Sequence, residues 1–309
     1  MNNNIRDMAI ASKLPVNPKL IGIISLIIAT LGFTSSQIFI KYSAVEVDPF
    51  HIAFWRCLIG LIIVFAMAVK NKRLTAPFRE MDKSRIKWLI IRSLVGTGAV
   101  YTVYLALSLP NSNLGELGTI VNINPVITVI LSWLILKEKL DIKVWFTLIL
   151  ALSGVFMVEN PFTKTGFTLS HIMMLIAAFF ISMEIISTRK LNILGVDKWL
   201  IIASFLSLAL LIAIPKLIID MKIYTFNTFI SLVLVGILDI IGHFSITTSS
   251  KYLKARTVGI ISLITVFESM ILGVLIFDEI VTCIKFVGAC LIIVASSMAI
   301  ILSIRRKRT

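Results

Sequence analysis

The stretch PVITVILSWLILKE, from Pro125 to Glu138, has a counterpart in VFESMILGVLIFDE, from Val266 to Glu279. One shift of 141 positions (266 minus 125, and 279 minus 138) relates the two stretches. Matches between Leu residues are expected by chance in so apolar a chain, whereas matches between Ser, Gly or Glu residues are less so. The same shift pairs Ser108 with Ser249, Gly118 with Gly259, Leu131 with Leu272, Leu134 with Leu275, and Glu138 with Glu279.

The composition predicts a membrane protein. Hydrophobic residues make up 58% of the 309 positions, charged residues make up 15%, and the mean hydropathy is +0.99. A helix needs roughly 20 mainly apolar residues to cross the hydrocarbon core of a bilayer. Ten such runs are present, at about 20–40, 51–69, 87–109, 113–136, 143–160, 170–188, 199–219, 228–250, 254–277 and 283–304.

Ten spans leave no room for a domain outside the membrane, since the longest connection, Lys70 to Arg85, is a short basic linker. A duplicated unit with an odd number of spans inserts in opposite senses, which is typical of secondary transporters. We therefore expect an all-α membrane protein of ten transmembrane helices, built as two inverted five-helix repeats at residues 20–160 and 170–304. Residues 1–19 and 305–309 are the terminal tails.

The net charge of +14 is a topology signal rather than a nucleic-acid signal. Alternate loops and both tails carry 23 Lys and Arg residues, whereas the opposite loops carry five: Lys41, Lys164, Lys216, Lys222 and Lys285. By the positive-inside rule, this asymmetry predicts that both termini lie in the cytoplasm. We expect the protein to be located in a cell inner membrane. The basic tail from Arg305 to Arg308 is expected to contact lipid headgroups, and no nucleic-acid partner is expected.

The N-terminal region and the cysteines predict neither a cleaved leader nor a metal site. The first 19 residues are polar, with Pro15 and Pro18, and the first apolar run is long enough to span a membrane. Cys57, Cys283 and Cys290 all fall in predicted spans, so we interpret them as small packing residues. We expect no disulfide, metal or cofactor.

Polar groups deep inside spans are costly and usually face a bundle interior or a wet cavity. Few residues of this kind occur, and we predict that they line a solute or proton pathway. They are Gln37, Arg56, Tyr101, Tyr104, Asn122, Asn124, Glu184, Asp239, His243 and Glu268.

Asp239 and His243 are spaced i,i+4 and so share one face of span 8. A carboxylate beside an imidazole inside a bilayer can bind a proton, because His titrates near neutral pH. The alternative is a structural hydrogen bond between two buried groups. Glu268 corresponds to Ile127 in the first copy, so the repeat does not require an acid there. It is either a solute or proton site, or the partner of an arginine.

Three further charges have two interpretations each. Glu184 either forms an ion pair with Arg189 or Lys190 near the cytoplasmic interface, or belongs to the pathway. Arg56 either anchors the solute or gates the pathway, or it holds the fold by pairing with an acid such as Glu268, Glu46 or Asp48. Arg92, one turn into its predicted span, is expected to anchor to lipid headgroups.

Pro125 interrupts span 4 beside Asn122 and Asn124. Proline removes a backbone donor, and such breaks at mid-depth often expose carbonyl groups to a transporter cavity. We expect Pro125 to open the backbone of span 4, with a simple packing kink as the alternative.

Several of these features resemble the drug/metabolite transporter superfamily, specifically its EamA type, over nearly the whole chain. They are Asp48-Pro49 followed by Arg56, YLALSL (Tyr104 to Leu109), Asn124-Pro125, WLILKEKL with Glu138, WFTLILALSGVFMV, and IFDE with Glu279. Val266 stands where the family often has proline, which puts a matching kink in span 9 in doubt.

The resemblance implies two inverted five-helix repeats around a central cavity and the transport of amino acids or other small metabolites. FWRCL and IIRSL, containing Arg56 and Arg92, also resemble the S-adenosylmethionine uptake branch.

The deep charges separately favour a cationic or zwitterionic solute, because Glu184, Asp239 and Glu268 face only one deep arginine, Arg56. We expect a secondary-active carrier with solute and lipid as partners. A homodimer, a passive channel and a membrane enzyme acting on a lipid-linked substrate are left open.

Overall fold

The computed structural model describes residues 17–44, 46–70, 81–109, 120–139, 141–159, 168–220, 224–278 and 280–305. Within these residues the chain forms eleven helices and no strands. They are α1 (Pro18–Ser43), α2 (Pro49–Lys70), α3 (Lys83–Ser108), α4 (Asn124–Leu136), α5 (Ile142–Glu159), α6 (Leu169–Ile193), α7 (Lys198–Ile219), α8 (Phe226–Tyr252), α9 (Ala255–Ser262), α10 (Ile264–Phe277) and α11 (Cys283–Arg305).

The helices fall where the apolar runs predict them. Eight spans in the described residues are long and apolar enough to cross a membrane, with α9 and α10 together forming one of them, Ala255–Ile276. Two shorter apolar helices, Asn124–Leu136 and Ile142–Val158, occupy the predicted spans 4 and 5. The first part of predicted span 4, residues 113–119, lies outside the described residues.

The 141-residue register of the sequence reappears in the backbone. Lys137 and Asp278 are the two non-glycine residues of the described chain with positive φ, at 54° and 52°, and 278 minus 137 is 141. Each lies in the left-handed region directly after a helix, α4 or α10, where such a residue ends the helix. The two halves therefore end corresponding helices by the same geometry.

Span 9 is broken although it lacks the proline of span 4. A turn at Leu263 separates α9 from α10, and 263 minus 141 is 122, where Asn122 begins the turn before α4. Val266 N–H bonds to Leu263, three residues back, and the carbonyl of Ser262 accepts the Thr265 hydroxyl at 2.8 Å. A side-chain hydroxyl thus competes with the helix ladder, so the doubt about a second break was unfounded.

The packing of the helices has an internal symmetry. Helix α1 packs on α8 and α3 packs on α6, while α2 packs on α7, α5 on α11, and α4 on α9. Each span of the first half corresponds to the span five positions later in the second half. When corresponding spans are exchanged, the α1–α8 pair becomes the α6–α3 pair, and each of the other three pairs maps onto itself. The pairing is the one expected if the halves are related by a two-fold axis.

Glycines allow the closest helix crossings. A Cβ built at Gly154 of α5 would lie 2.6 Å from the carbonyl oxygen of Gly288 on α11, and the reverse distance is also 2.6 Å. Gly32 of α1 similarly faces the backbone of Gly242 on α8. Small residues permit such approaches between helices in membranes. At the second crossing, α1 lies against α8 next to His243, the residue that follows Gly242.

The cysteine prediction is correct for one residue only. Cys57 is buried in α2, whereas Cys283 and Cys290 on α11 are exposed. These two are therefore not interior packing residues, because α11 turns them toward the outside of the bundle.

Candidate functional site

Asp239 and His243 lie one turn apart on α8, and both are buried. His243 Nε2 is 3.4 Å from Asp239 Oδ2, so the sequence spacing brings the carboxylate and imidazole into contact. The contact exists because residues at i and i+4 of a helix lie one above the other. It leaves the other imidazole nitrogen, Nδ1, directed to a second helix.

Arg56 of α2 forms an ion pair with the same carboxylate. Its Nε lies 2.7 Å from Asp239 Oδ2, and both side chains are nearly buried. Glu268, Glu46 and Asp48, which the sequence suggested as partners, are not in this contact. The packing of α2 against α8 selects Asp239 instead.

The other side of His243 faces Glu184 of α6. His243 Nδ1 is 3.8 Å from Glu184 Oε1, and the same oxygen accepts a hydrogen bond from Arg92 Nη2 at 2.8 Å. Arg92 Nε donates to the hydroxyl of Thr188 at 2.8 Å. Glu184 thus pairs with Arg92 in this structure and not with Arg189 or Lys190 as the first interpretation held.

Arg92 is the clearest correction to the sequence analysis. Its side chain is 1% exposed, so the prediction of headgroup anchoring is wrong. The helix begins at Lys83 rather than near residue 87, because the Asp82 carboxylate accepts the backbone N–H of Arg85 at 2.7 Å and caps it. Arg92 therefore lies more than two turns inside α3.

Together these residues form one continuous network, which we call the charge chain: Arg56, Asp239, His243, Glu184 and Arg92. It joins α2, α8, α6 and α3. The two carboxylates balance the two guanidinium groups, so the proton on His243 decides whether the network is neutral or carries one positive charge.

Aromatic rings enclose the centre of the charge chain. Phe33 of α1 meets the His243 ring edge-on at 5.1 Å between centroids, and Phe205 of α7 lies 4.9 Å from the same ring. The Arg92 guanidinium lies 4.8 Å from the centre of the Phe205 ring. A low-polarity surrounding strengthens each charge–charge interaction relative to water.

Glu268 forms a second, separate polar group. Its side chain lies on α10, and the hydroxyls of Thr30 and Thr34 on α1 donate to Oε1 at 2.9 Å and to Oε2 at 3.0 Å. The residue is 8% exposed. Within the described part of the chain, no Arg, Lys or His contacts this carboxylate, so the suggested pairing with an arginine is not observed.

This arrangement corrects the charge count. Three deep acids face two deep arginines, Arg56 and Arg92, rather than one. Because Asp239 and Glu184 are each matched by an arginine, the remaining acidic excess is located at Glu268.

The remaining predicted residues are distributed around these groups. The Tyr101 hydroxyl donates to the carbonyl of Ala209 at 2.7 Å, and its ring stacks on Phe50, which gives it a packing role between α3 and α7. Gln37 is exposed, seven residues after Thr30 on the same face of α1. The side chain of Tyr104 lies outside the described residues.

The break before α4 is held by polar contacts. Asn124 Nδ2 donates to the carbonyl of Val121 at 3.0 Å, and the Ser182 hydroxyl of α6 donates to the carbonyl of Asn124 at 2.8 Å. Pro125 is buried in the first turn of α4, where a missing N–H breaks no helical bond. Asn122 lies in the turn itself, half-buried.

Glu138, from the repeated stretch, forms a polar cluster at the end of the bundle where α4 ends and α9 begins. Its Oε1 accepts the backbone N–H of Ala255 at 3.2 Å, close to Arg189 and Arg256. Burial raises the pKa of the carboxyl, while the Ala255 bond and the nearby arginines oppose the shift. Glu138 therefore links the end of α4 to the start of α9, whereas Glu279 lies outside the described residues.

Several residues of the site were not predicted from the sequence. The hydroxyls of Thr30 and Thr34 were the most accessible signal, because they are spaced i,i+4 within a span. Thr188, Phe33 and Phe205 carry no such signal, since only the packing of the helices brings them to Arg92 and His243.

Comparison with known proteins agrees with this architecture. Residues 20–159 match the EamA-like transporter family. A solved crystal structure has the same fold, with a TM-score of 0.77 at 18% identity, and the match covers 93% of this chain and 98% of the other.

Curated relatives are similar over most of their length. The chain is 21% identical over 275 residues to the pseudopaline exporter CntI of Pseudomonas aeruginosa, covering 89% of this chain and 94% of the exporter. It is 24% identical to solute carrier family 35 member G1 of Mus musculus, covering 91% and 78% of the two chains. An uncharacterized transporter of Helicobacter pylori is 23% identical, covering 90% and 93%. The names are those of transporters and not of enzymes.

Proposed function

Because the chain is a membrane transporter of the drug/metabolite transporter superfamily, we propose that it is a secondary-active carrier of a small cationic or zwitterionic metabolite. In this proposal residues 20–160 and 170–304 form two inverted repeats with both termini in the cytoplasm. The carrier acts in a cell inner membrane, by alternating access between the repeats.

The proposal rests on the buried ion pairs and hydrogen bonds that join the two halves of the chain. Arg56 and Arg92 belong to the first half, whereas Asp239 and Glu184 belong to the second. Glu268 is also in the second half, and its donors Thr30 and Thr34 are in the first. A relative movement of the halves must therefore break or exchange these bonds.

The charge chain supplies a way to couple such a movement to a proton. Protonated His243 competes with Arg56 for Asp239 and with Arg92 for Glu184, because it lies between the two carboxylates. A proton on the imidazole thus weakens both ionic contacts between the halves. Loss of the proton restores them.

The charge chain also offers groups for a zwitterionic solute. The carboxylate of a solute can replace Asp239 at Arg56, and the freed Asp239 is then available to the proton or to a cationic group. Buried groups that exchange partners in this way avoid an unpaired charge at any stage. Arg56 and Asp239 would hold and orient the solute, with the proton on His243.

The alternatives differ in what they predict for flux. S-adenosylmethionine is zwitterionic and carries a further cation, so it fits the same charges and belongs in the panel. A relative is named as an exporter of pseudopaline, so both directions should be measured. A passive channel predicts flux that does not saturate, whereas a carrier saturates.

Reconstitution tests the proposal. Purified protein in liposomes is given labelled amino acids and S-adenosylmethionine, with and without an imposed pH gradient. We expect saturable uptake of at least one of these solutes that responds to the gradient, and its loss in Asp239→Asn. Asp220→Asn is the control, because Asp220 is an exposed carboxylate 3.9 Å from Lys216. Unsaturable flux would contradict the proposal.

A further inference from the structure

Glu268 is the one deep acid in the described chain that no cation contacts. Asp239 and Glu184 each have an arginine nitrogen within 2.8 Å, whereas Glu268 is held by two neutral hydroxyls. A buried carboxylate without a cation is costly, and two neutral hydrogen bonds offset only part of that loss. The site is therefore electrostatically incomplete.

The two threonines have other acceptors besides the carboxylate. Thr30 Oγ1 also lies 2.9 Å from the carbonyl of Ile27, and Thr34 Oγ1 lies 2.8 Å from the carbonyl of Thr30. Each hydroxyl has a single proton to donate, so each can turn either to Glu268 or to its own helix. The α1 side of the site can thus adjust when a new donor approaches the carboxylate.

Glu268 lies beside a polar face of α1 that ends at an exposed amide. Thr30, Thr34 and Gln37 follow the i, i+4, i+7 pattern of one helix face, and Gln37 is exposed. Phe33, beside Thr34 in sequence, contacts His243 of the charge chain. Helix α1 therefore carries contacts to both polar groups, and its polar face continues from Glu268 to an exposed amide.

The duplicated frame shows that an acid is not required by the fold at this position. Ile127 occupies the corresponding place in the first half. Glu268 is the fifth residue of α10, five positions after the turn at Leu263 that separates α9 from α10.

We propose that Glu268, with Thr30 and Thr34, binds the ammonium group of the transported solute. This deepens the proposed function and rests on it. The carboxylate oxygens have lone pairs beyond those the hydroxyls use, and a primary ammonium has three donors, enough to reach both oxygens and one neighbouring acceptor. The solute would place its cationic end on α10 and its anionic end at Arg56 of the charge chain.

Infrared difference spectroscopy on the protein in liposomes tests the site without knowledge of the solute. Methylammonium chloride is the probe and sodium chloride the reference, at one fixed pH, followed by a pH titration with sodium chloride alone. The variant is Glu268→Gln. Glu46→Gln is the matched control, because Glu46 also accepts two threonine hydroxyls, from Thr225 and Thr228, but is exposed at an end of the bundle.

We expect methylammonium to perturb the carboxylate bands of the wild type and of Glu46→Gln, and this signal to be lost in Glu268→Gln. A Glu268 signal that follows pH but not methylammonium would show a carboxyl that takes only protons, and would overturn the ammonium assignment. A signal that follows neither would show a structural hydrogen bond and would overturn it equally.

Transport assays distinguish a failure of the ammonium site from a failure of the carrier proposal. For a solute that the wild type carries, we expect Glu268→Gln to raise the apparent KM about tenfold or more, because a charge-assisted hydrogen bond is lost. For the N-acetylated form of the same solute, which has no ammonium group, the same substitution should raise the KM less. Methylammonium binding without any saturable transport would contradict the carrier and leave the site standing. Saturable transport with an unchanged KM in Glu268→Gln would contradict the site alone.

Discussion

Arg56 and Asp239 meet across the two halves of the chain, with Nε 2.7 Å from Oδ2. Arg92 and Glu184 meet across the same boundary at 2.8 Å, and His243 lies between the two carboxylates. The charges are divided so that the arginines belong to the first half and the acids to the second. Such a division makes the interface between the halves sensitive to any ion that enters it.

The Arg56–Asp239 pair should behave as a buried ion pair in stability measurements. Asp239→Asn leaves the Arg56 guanidinium without its carboxylate, and removing one partner of a buried pair costs about 3–5 kcal/mol. We expect a clear fall in the Tm of the detergent-solubilised protein.

The double variant Arg56→Met, Asp239→Asn distinguishes pairing from general damage. Removing both charges avoids an isolated buried ion, so its Tm should recover toward the wild-type value while transport stays lost. A double variant whose loss equals the sum of the two single losses would show that the residues act independently.

His243 should set the pH dependence of transport. In His243→Gln the ring that competes for Asp239 and Glu184 is replaced by a neutral amide, so flux should lose its response to a pH gradient while exchange of solute persists. The measurement is uptake across a series of pH values in liposomes. His171→Gln is the control, since His171 caps the start of α6 away from the charge chain. An unchanged pH profile in His243→Gln would remove the imidazole from the coupling.

Glu138 should make stability depend on pH. Burial raises its pKa in the folded protein above the ordinary value of 4.5. Its contribution to stability is therefore complete below the ordinary pKa and is lost as the pH rises through the raised one. We expect the Tm of the wild type to fall more steeply over that window than the Tm of Glu138→Gln. Equal slopes in the two proteins would contradict this role.

The crossing of α5 and α11 should not tolerate a methyl group. Gly154→Ala places Cβ 2.6 Å from the carbonyl oxygen of Gly288, so the helices must separate, and overpacking of this kind costs about 1–3 kcal/mol. Gly60→Ala is a milder comparison, because its nearest atom is a Leu206 side-chain carbon at 3.2 Å. Thermal unfolding of both variants measures the difference.

The positions of the spans could be predicted from the sequence, because the apolar runs are long and the loops short. The 141-residue register was also visible, and it extends to the matching backbone angles of Lys137 and Asp278. These features are local or periodic, so the sequence displays them directly. The break at Leu263 was in doubt because it depends on the hydroxyl of Thr265 rather than on a proline.

The members of the charge chain were harder to predict from the sequence. Asp239 and His243 share a face by spacing alone, but the partners of Arg56 and Glu184 depend on which helices pack together. Arg92 was misplaced because the cap at Asp82 starts α3 earlier than the apolar run does. Helix pairing is a property of the whole bundle, and a single sequence gives no direct record of it.

Counterflow in liposomes tests the central claim most directly. Liposomes loaded with an unlabelled solute from the panel receive a trace of the same labelled solute outside, and its transient accumulation is followed for wild type, Asp239→Asn and Asp220→Asn. An alternating-access carrier that uses the charge chain predicts accumulation in the wild type and in Asp220→Asn, and none in Asp239→Asn. Equal accumulation in all three proteins, or flux without trans-stimulation in the wild type, would contradict the account.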